Sequence, residues 1–230
     1  MDLHFIAQWL DSACRPFDHA ILEFMHALAQ GAGAILTPIA QALALIGDNG
    51  YLCFLTALIL LFFPKTRKAG FCIIGAVLIG AVMTNLTLKE SVLRLRPYAS
   101  GNPEFESWWR FIGAPAESEF SFPSGHTTAA AAGAVALCLS FKKLYVILPA
   151  IAYAIVMGLS RNYLMVHYPT DVLAGLAVGS VAAVAAFFIA KGAYRFMENR
   201  RRVKLFAFVL DFDPIALIRK NKSKEPENDA

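Results

Sequence analysis

The stretch VLAGLAVGSVAAVAAFFIA, Val172–Ala190, contains no charged side chain and a single hydroxyl group. A helix needs about 20 mostly apolar residues to cross the hydrocarbon core of a bilayer. This stretch therefore predicts a transmembrane helix, and further apolar segments precede it along the chain. They are Ile21–Ile46, Tyr51–Phe63, Ala69–Leu88, Thr127–Phe141 and Leu144–Leu159.

 Together with Val172–Ala190 these make six apolar segments. We therefore predict an all-α, polytopic membrane helix bundle with six transmembrane helices.

The composition agrees with a membrane protein, because 57% of the 230 residues are hydrophobic and only 17% are charged. A single soluble core could not bury that much apolar surface. The net charge of +4 is modest, and the basic residues sit in short runs beside apolar segments, where anionic headgroups explain them. We therefore expect the bilayer, and not nucleic acid, as the partner. The four cysteines form no Cys-x-x-Cys pair, so neither a disulfide nor a zinc site is expected.

Short runs of basic residues follow the second, fourth and sixth apolar segments. These runs are Lys65, Arg67 and Lys68; Lys142 and Lys143; and Lys191, Arg195, Arg200, Arg201, Arg202 and Lys204. Because short loops rich in Lys and Arg stay in the cytoplasm, both termini are expected there, in a multi-pass protein of the inner (plasma) membrane. The connections 48–50, 89–126 and 160–170 then lie on the extracytoplasmic side.

Residues 1–204 are expected to form one membrane domain, and residues 205–230 a cytoplasmic juxtamembrane segment with a disordered tail. The first apolar segment contains Gly31, Gly33 and Pro38. These residues leave two interpretations open, a kinked span or a surface helix that leads into a span.

The first motif with chemical meaning is Lys89 and Arg96-Pro97, with six residues between the lysine and the arginine. If the segment is helical, the two cations are about two turns apart and face the same way, and the helix stops near Pro97. Fixed Lys and Arg donors stabilise the dispersed negative charge of a phosphoryl group in transfer.

The second motif is Pro123-Ser124-Gly125-His126, directly before the apolar segment that begins at Thr127. Ser and Gly at a helix start leave backbone N–H groups free at the positive end of the helix dipole, which favours an anion. His126 is expected beside that anion.

The third motif is Ser160-Arg161, with His167 after five further residues and Asp171 four positions later. An aspartate that accepts a hydrogen bond from one imidazole nitrogen fixes the tautomer and leaves the other nitrogen free to attack phosphorus. Arg161 adds a third cation.

Together the three motifs resemble the signature of the type 2 phosphatidic acid phosphatase (PAP2) superfamily, which includes vanadium haloperoxidases and glucose-6-phosphatases. The signature is Lys-x6-Arg-Pro, Pro-Ser-Gly-His and Ser-Arg-x5-His-x3-Asp. Residues 89–97, 123–126 and 160–171 match it without a departure.

The resemblance implies a lipid phosphate or diphosphate phosphatase of the undecaprenyl diphosphate, phosphatidate or phosphatidylglycerol phosphate type. It implies that His167 is the nucleophile of a phosphohistidine intermediate, that Asp171 orients it, and that His126 is the general acid. The positions that hold the phosphate oxygens are matched by Lys89, Arg96, Ser124, Gly125 and Arg161. No cofactor or metal is expected, because the anion ligands are cations and N–H donors.

Other functions remain open at this point. A lipid phosphotransferase would use the same phosphohistidine but pass the phosphate to another lipid. A non-enzymatic membrane protein, such as a transporter, could bind an anion but would not need an oriented His–Asp pair. A haloperoxidase is expected to be soluble, which six spans argue against.

Several residues near the motifs are interpreted as packing or surface residues, namely the turn Asp48–Gly50, His26, Glu90 and Arg94. The connection between the first two motifs is rich in aromatic residues, which either form a lid over a lipid entrance or only anchor the connection at headgroup depth. These residues are Phe105, Trp108, Trp109, Phe111, Phe120 and Phe122.

Overall fold

The computed structural model describes residues 3–117, 120–214 and 216, and within these residues the chain forms α-helices and no strand. The α-helices are α1 His4–Ala13, α2 Arg15–Gly47, α3 Tyr51–Leu61, α4 Arg67–Ala81, α5 Lys89–Val92, α6 Pro103–Phe111, α7 Gly125–Ser140, α8 Leu144–Tyr163, α9 Pro169–Asn199 and α10 Lys204–Asp211. A π-helical segment, Val82–Leu88, joins α4 to α5. The all-α prediction is confirmed for this part of the chain, whereas the expected tail Arg219–Ala230 lies outside it.

The bundle is built around α7, which packs against α4, α8 and α9 through small side chains. Small residues let helix backbones approach closely in a membrane protein. Gly175 of α9 shows this, since a Cβ atom there would lie 2.8 Å from the carbonyl oxygen of Ser124. The backbone N–H of Ser124 also donates to the carbonyl of Asp171 at 3.1 Å. The starts of α7 and α9 are therefore fixed side by side.

The three basic connections meet at the opposite end of the bundle. Lys65, Lys68, Ser140, Phe141 and Ala190 line one cavity there. The Arg67 guanidinium donates to the carbonyl of Val209 at 2.8 Å and so ties α10 to this end. We call it the basic end, and the end that holds the starts of α7 and α9 the site end.

Helix α2 both begins and finishes at the site end. Near its start, the backbone N–H of Thr170 donates to Asp18 Oδ1 at 2.9 Å. Directly after its last residue, Asp48 Oδ1 lies 3.9 Å from His126 Nε2. Thr170 and His126 belong to the first turns of α9 and α7, so both ends of α2 contact the same face of the bundle.

The middle of α2 stays at this end as well, because the Thr37 hydroxyl lies 2.8 Å from the Tyr163 hydroxyl at the end of α8. The helix kinks at Ala32, whose backbone leaves the helical region at φ −133° and ψ 16°. The helix is thus kinked, as the first interpretation of this segment expected, while its contacts with the site end along its length fit the second, a surface helix that leads into a span.

The contacts of α1 and α10 bear on the expected position of the two termini. Helix α1 contacts the site end, where the backbone N–H of Leu3 donates to the carbonyl of Ser91 at 3.0 Å, while α10 lies at the basic end. The first and last described helices are thus at opposite ends of the bundle. The expectation of six spans with both termini in the cytoplasm is therefore not confirmed, because hydropathy alone does not show which end of a bundle a helix packs against.

Four stretches are long and apolar enough to span a membrane, among the residues that the structure describes. They are Arg15–Leu61, Arg67–Ala99, Leu144–Tyr163 and Pro169–Asn199. Helix α7 has 16 residues, fewer than the roughly 20 that a helix needs to cross the hydrocarbon core. Within the first stretch, α3 is the helix that runs from the site end to the basic end.

Candidate active site

A cavity of about 310 Å³ opens at the site end between α4, α7 and the turn that follows α2. Five of the residues that the motifs single out line this cavity, and they are Lys89, Arg96, Gly125, His126 and His167. Thr84 and Asn85 of the π-helical segment also line it. The structure thus brings the three motifs to one place, while Ser124, Arg161 and Asp171 lie behind the cavity wall.

His167 lies in the turn between α8 and α9 and is fully buried. Its Nε2 faces the Arg96 guanidinium at 3.3 Å, and its Nδ1 faces the Ser121 hydroxyl at 3.4 Å. Because a guanidinium only donates, we assign the lone pair to Nε2 and the proton to Nδ1. Burial lowers the pKa of His167 well below its ordinary value, and the charges of Arg96, Arg161 and Lys89 lower it further. The neutral imidazole therefore has a nucleophilic nitrogen at the cavity.

Asp171 supports His167 by a different route from the expected one. Its Oδ2 is 3.7 Å from His167 Nδ1, so the two do not share a direct hydrogen bond. The Ser121 hydroxyl lies between them and donates to Asp171 Oδ2 at 2.5 Å. The same oxygen accepts the backbone N–H of Tyr168 at 2.9 Å. The expected His–Asp pair is therefore a relay through Ser121, a residue that the motifs did not indicate.

Arg94 was interpreted as a packing or surface residue, and the structure excludes the surface position. Its side chain is only 1% exposed, and one Nη donates to Asp171 Oδ1 at 2.6 Å. It also stacks on the ring of Tyr168, with 3.9 Å from its Cζ to the ring centroid. Charge at membrane depth was the available signal, but the Lys-x6-Arg-Pro spacing selects Arg96 and not this arginine.

The prediction that Lys89 and Arg96 lie on one helix is wrong. Helix α5 stops at Val92, because Leu93 adopts a left-handed conformation at φ 55°, and Arg96 follows in extended backbone. Both side chains are nevertheless buried and line the cavity. The turn at Leu93 brings Arg96 toward Val166, whose carbonyl accepts from its guanidinium at 2.9 Å.

The second motif forms the start of α7, as predicted. Ser124 is the N-cap, and its side-chain oxygen accepts from the hydroxyl of Thr127 at 2.9 Å. The Ser124 side chain therefore faces the helix, while Gly125 and His126 face the cavity. A Cβ on Gly125 would lie 3.9 Å from the ammonium nitrogen of Lys89. His126 Nε2 lies 3.2 Å from the carbonyl of Ala44, the last turn of α2.

A carboxylate that the sequence did not single out as a ligand enters this cationic cavity. Glu117 pairs with Arg161 through one oxygen, and its other oxygen lies 3.4 Å from Arg96. Burial raises the pKa of Glu117, but the charges of Arg161 and Arg96 lower it by more, so its pKa lies below the ordinary value. The Tyr98 hydroxyl donates to the carbonyl of the same residue at 3.0 Å. The Glu117 carboxylate thus binds two of the guanidinium groups that the motifs assign to phosphate.

The aromatic connection packs against α2. Phe105 is buried, the Trp108 ring stacks on His26 at 5.2 Å, and the Trp109 ring stacks on Tyr98 at 4.4 Å. His26 is therefore a packing residue, as interpreted. These contacts fix α6 against the bundle, and both roles considered for this connection stay predictions.

The donors and acceptors of the site define what it can do. A neutral imidazole nitrogen faces a cavity lined by Lys89, Arg96 and the start of α7, which together favour an anion. Within the described residues no three His, Cys, Asp or Glu side chains come together as a metal site would require. The arrangement suits transfer of a phosphoryl group to His167 Nε2, with the developing charge held by cations and N–H dipoles.

Comparisons with known proteins agree with this geometry. A family model described as the PAP2 superfamily matches residues 69–202. The chain is 35% identical over 122 residues to an undecaprenyl-diphosphatase of Sulfolobus acidocaldarius, an alignment that covers 53% of this chain and 55% of that protein. It is 33% identical over 173 residues to a lipid A 1-phosphatase of Rhizobium johnstonii, covering 66% of this chain and 67% of that protein.

A solved structure shares the fold. The crystal structure of a transmembrane PAP2 type phosphatidylglycerolphosphate phosphatase from Bacillus subtilis superposes with a TM-score of 0.61 at 27% identity, over 86% of this chain and 94% of that one. The chain spans about half the length of the Sulfolobus relative that it matches. Because the family match covers more than half of the 230 residues and includes all three motifs, the chain belongs to the PAP2 superfamily.

Proposed function

We propose that this chain is a metal-independent membrane phosphatase that removes phosphate from a lipid phosphate or diphosphate through a phosphohistidine on His167. The observation that carries the proposal is the position of His167 Nε2, which is 3.3 Å from the Arg96 guanidinium and at the wall of a cationic cavity. A phosphate bound to Arg96 and Lys89 would place phosphorus within reach of that nitrogen.

The reaction has two steps. In the first, Nε2 bonds to phosphorus while the bond to the leaving oxygen breaks, and His126 gives a proton to that oxygen. In the second, water attacks the phosphohistidine, loses its proton to His126, and frees both the imidazole and the phosphate. Asp171 holds the Nδ1 proton through Ser121 in both steps, so the imidazole keeps one tautomer.

The phosphate ligands are proposed to be Lys89, Arg96, Arg161 and the first turn of α7 at Ser124 and Gly125. Lys89 and Arg96 contribute directly, since both line the cavity. Arg161 becomes a ligand when phosphate replaces the carboxylate that it holds in this structure. The hydroxyl of Ser124 acts as the cap that shapes this turn.

The proposed substrate is a lipid because the cavity lies beside an apolar surface. The outward face of α2 exposes Phe24, Ile35, Ile39 and Leu45, a face that suits the interface between headgroups and acyl chains. The relatives are named for undecaprenyl diphosphate and for lipid A, which are both phosphorylated lipids. A substrate of this class would keep its tail in the bilayer while its headgroup enters the cavity.

The proposed topology places the site end on the extracytoplasmic side of the inner (plasma) membrane and the basic end in the cytoplasm. Helices α3, α4, α7, α8 and α9 each run between the two ends and are proposed to cross the bilayer. Helices α1 and α2 then lie along the outer surface, and α10 lies along the inner one. The short α3 and α7 require local thinning of the bilayer.

The test is phosphate release by detergent-purified protein. Undecaprenyl diphosphate and phosphatidate in micelles should give a higher kcat/KM than glucose 6-phosphate, and His167→Ala should abolish turnover of all three. Equal or better turnover of glucose 6-phosphate would contradict the lipid assignment while leaving the phosphohistidine chemistry in place.

A further inference from the structure

The carboxylate of Asp171 is held from behind by a buried ionic cluster. The Arg94 guanidinium donates to Asp171 Oδ1 at 2.6 Å, to Asp18 Oδ2 at 2.9 Å and to Asp11 Oδ1 at 2.8 Å. Arg94, Asp18 and Asp171 are all almost fully buried. One guanidinium thus joins α9, which carries Asp171, to the two N-terminal helices.

Asp18 contributes a second link to α9. Its Oδ1 accepts the backbone N–H of Thr170 at 2.9 Å, and its Oδ2 accepts the Thr170 hydroxyl at 2.7 Å. The same hydroxyl accepts from the Arg94 Nη at 2.8 Å. Asp18 therefore holds the residue directly before Asp171 as well as the arginine that binds Asp171.

These contacts come from a part of the chain that the family match does not include, since the match begins at residue 69 and Asp18 belongs to α2. A buried carboxylate is costly unless it is paired and hydrogen-bonded. Asp18 is paired with Arg94, which binds Asp171, and with Thr170, which directly precedes Asp171. The buried carboxylate of Asp18 therefore bears on the geometry behind the candidate nucleophile.

We propose that Asp18 is a positioning residue for His167, acting through Arg94 and Thr170 on Asp171 and from there through Ser121. The proposal rests on the proposed function, in which His167 is the nucleophile. The N-terminal surface helix is then a working part of the active site and not only a cover over the bundle.

Two physical effects follow from this placement. The first is geometric, because a group that orients a reacting side chain must itself be held by its neighbours. The second is electrostatic. When Nε2 bonds to phosphorus and Nδ1 keeps its proton, the imidazole becomes cationic. Two of the carboxylates around the guanidinium, those of Asp18 and Asp171, are buried, so their combined negative charge exceeds the charge of Arg94 and stabilises the imidazole cation, whereas water screens the exposed Asp11.

The experiment compares Asp18→Asn with Asp11→Asn. Both substitutions remove one negative charge that faces Arg94, but Asp11 is 52% exposed and approaches from solvent, whereas Asp18 is 2% exposed. The measurements are kcat and KM for a micellar lipid phosphate and the inhibition constant of inorganic phosphate. Asp18→Asn should lower kcat by roughly tenfold or more, as loss of an orienting partner does, and leave KM and phosphate inhibition within about twofold. Asp11→Asn should keep all three near wild type.

A merely structural role would weaken phosphate binding and kcat together, so a parallel loss in both would overturn the proposal. So would a wild-type kcat in Asp18→Asn. If that variant does not fold, Thr170→Val decides, since it removes the hydroxyl between Asp18 and Arg94 but keeps the backbone N–H. The same fall in kcat is expected from it, and an unchanged kcat counts against the proposal. Failure of the proposed function has a different result, in which wild type releases no phosphate or His167→Ala is as active as wild type.

Discussion

Glu117 provides a prediction that the three motifs alone would not make. Its carboxylate binds the Arg161 and Arg96 guanidinium groups in this structure, and these groups are proposed to bind phosphate. Phosphate must therefore displace the carboxylate. We predict that Glu117→Gln, which keeps the shape and removes the charge, binds phosphate more tightly than wild type.

The size of the effect follows from the contacts that are lost. A hydrogen bond to a charged group contributes about 1.5–3 kcal/mol. Glu117 is 24% exposed, so water screens part of this interaction and the lower figure applies. About 1.4 kcal/mol corresponds to a tenfold change in an equilibrium constant. The inhibition constant of inorganic phosphate should thus fall by roughly tenfold.

The pH dependence has a definite sign. The pKa of Glu117 lies below its ordinary value, so its ionised form is favoured in the folded protein. The ion pair is present above the ordinary pKa and is lost as pH falls through the lowered one. Wild type and Glu117→Gln should therefore differ across the neutral range, and their phosphate affinities should converge only on the acid side, at a pH below the ordinary pKa of a glutamate.

The assay is competitive inhibition of lipid phosphate hydrolysis by inorganic phosphate. Glu106→Gln is the matched control, because Glu106 is an exposed carboxylate that pairs with Arg110 on α6, and it should leave the inhibition constant unchanged. An unchanged or weaker affinity in Glu117→Gln would refute the idea that this carboxylate competes with phosphate.

Three further predictions concern metals, topology and the second histidine. Activity should survive EDTA, because the proposed phosphate ligands are cations and N–H groups; complete loss that Mg²⁺ restores would contradict this. In a background without native cysteines, an impermeant thiol reagent should label Ser12→Cys and Glu106→Cys on intact cells but not Lys142→Cys, and the reverse pattern would invert the topology. His126→Ala should lose about 10²–10⁴-fold on a phosphate monoester and recover part of that with an activated aryl phosphate. An identical dependence on the leaving group in variant and wild type would remove the general-acid role.

The sequence predicted the cavity residues because each motif adjoins a helix end. Lys89 follows an apolar segment, while His126 and His167 precede one, and the ends of neighbouring helices meet. Ser121 and Glu117 were not predicted as site residues, since they lie in an irregular connection where no periodicity indicates direction. The partners of Arg94 could not be predicted for another reason. Asp18 is far from it in the chain, and a single sequence does not show which distant residues come into contact.

The path of α2 shows a limit of hydropathy. The segment Ile21–Ile46 has the length and composition of a span, yet its ends contact the first turns of α9 and α7 at one end of the bundle. A crossing helix and a surface helix can have the same apolar content, and they differ only in what they pack against. The tertiary contacts of α1 and α2, and not their hydropathy, therefore indicate at which end of the bundle the described chain begins.

The most direct test of the phosphohistidine mechanism is to trap the intermediate on His167. Purified wild type is mixed with radiolabelled lipid phosphate and quenched without acid, because phosphohistidine is acid-labile, and the labelled peptide is then mapped. Glu106→Gln, which changes an exposed carboxylate on α6 outside the cavity, serves as a folded comparison and should be labelled like wild type. Label on His167 in wild type, and none in His167→Ala, is the predicted result. Equal labelling of wild type and His167→Ala would contradict the assignment of His167 as the nucleophile.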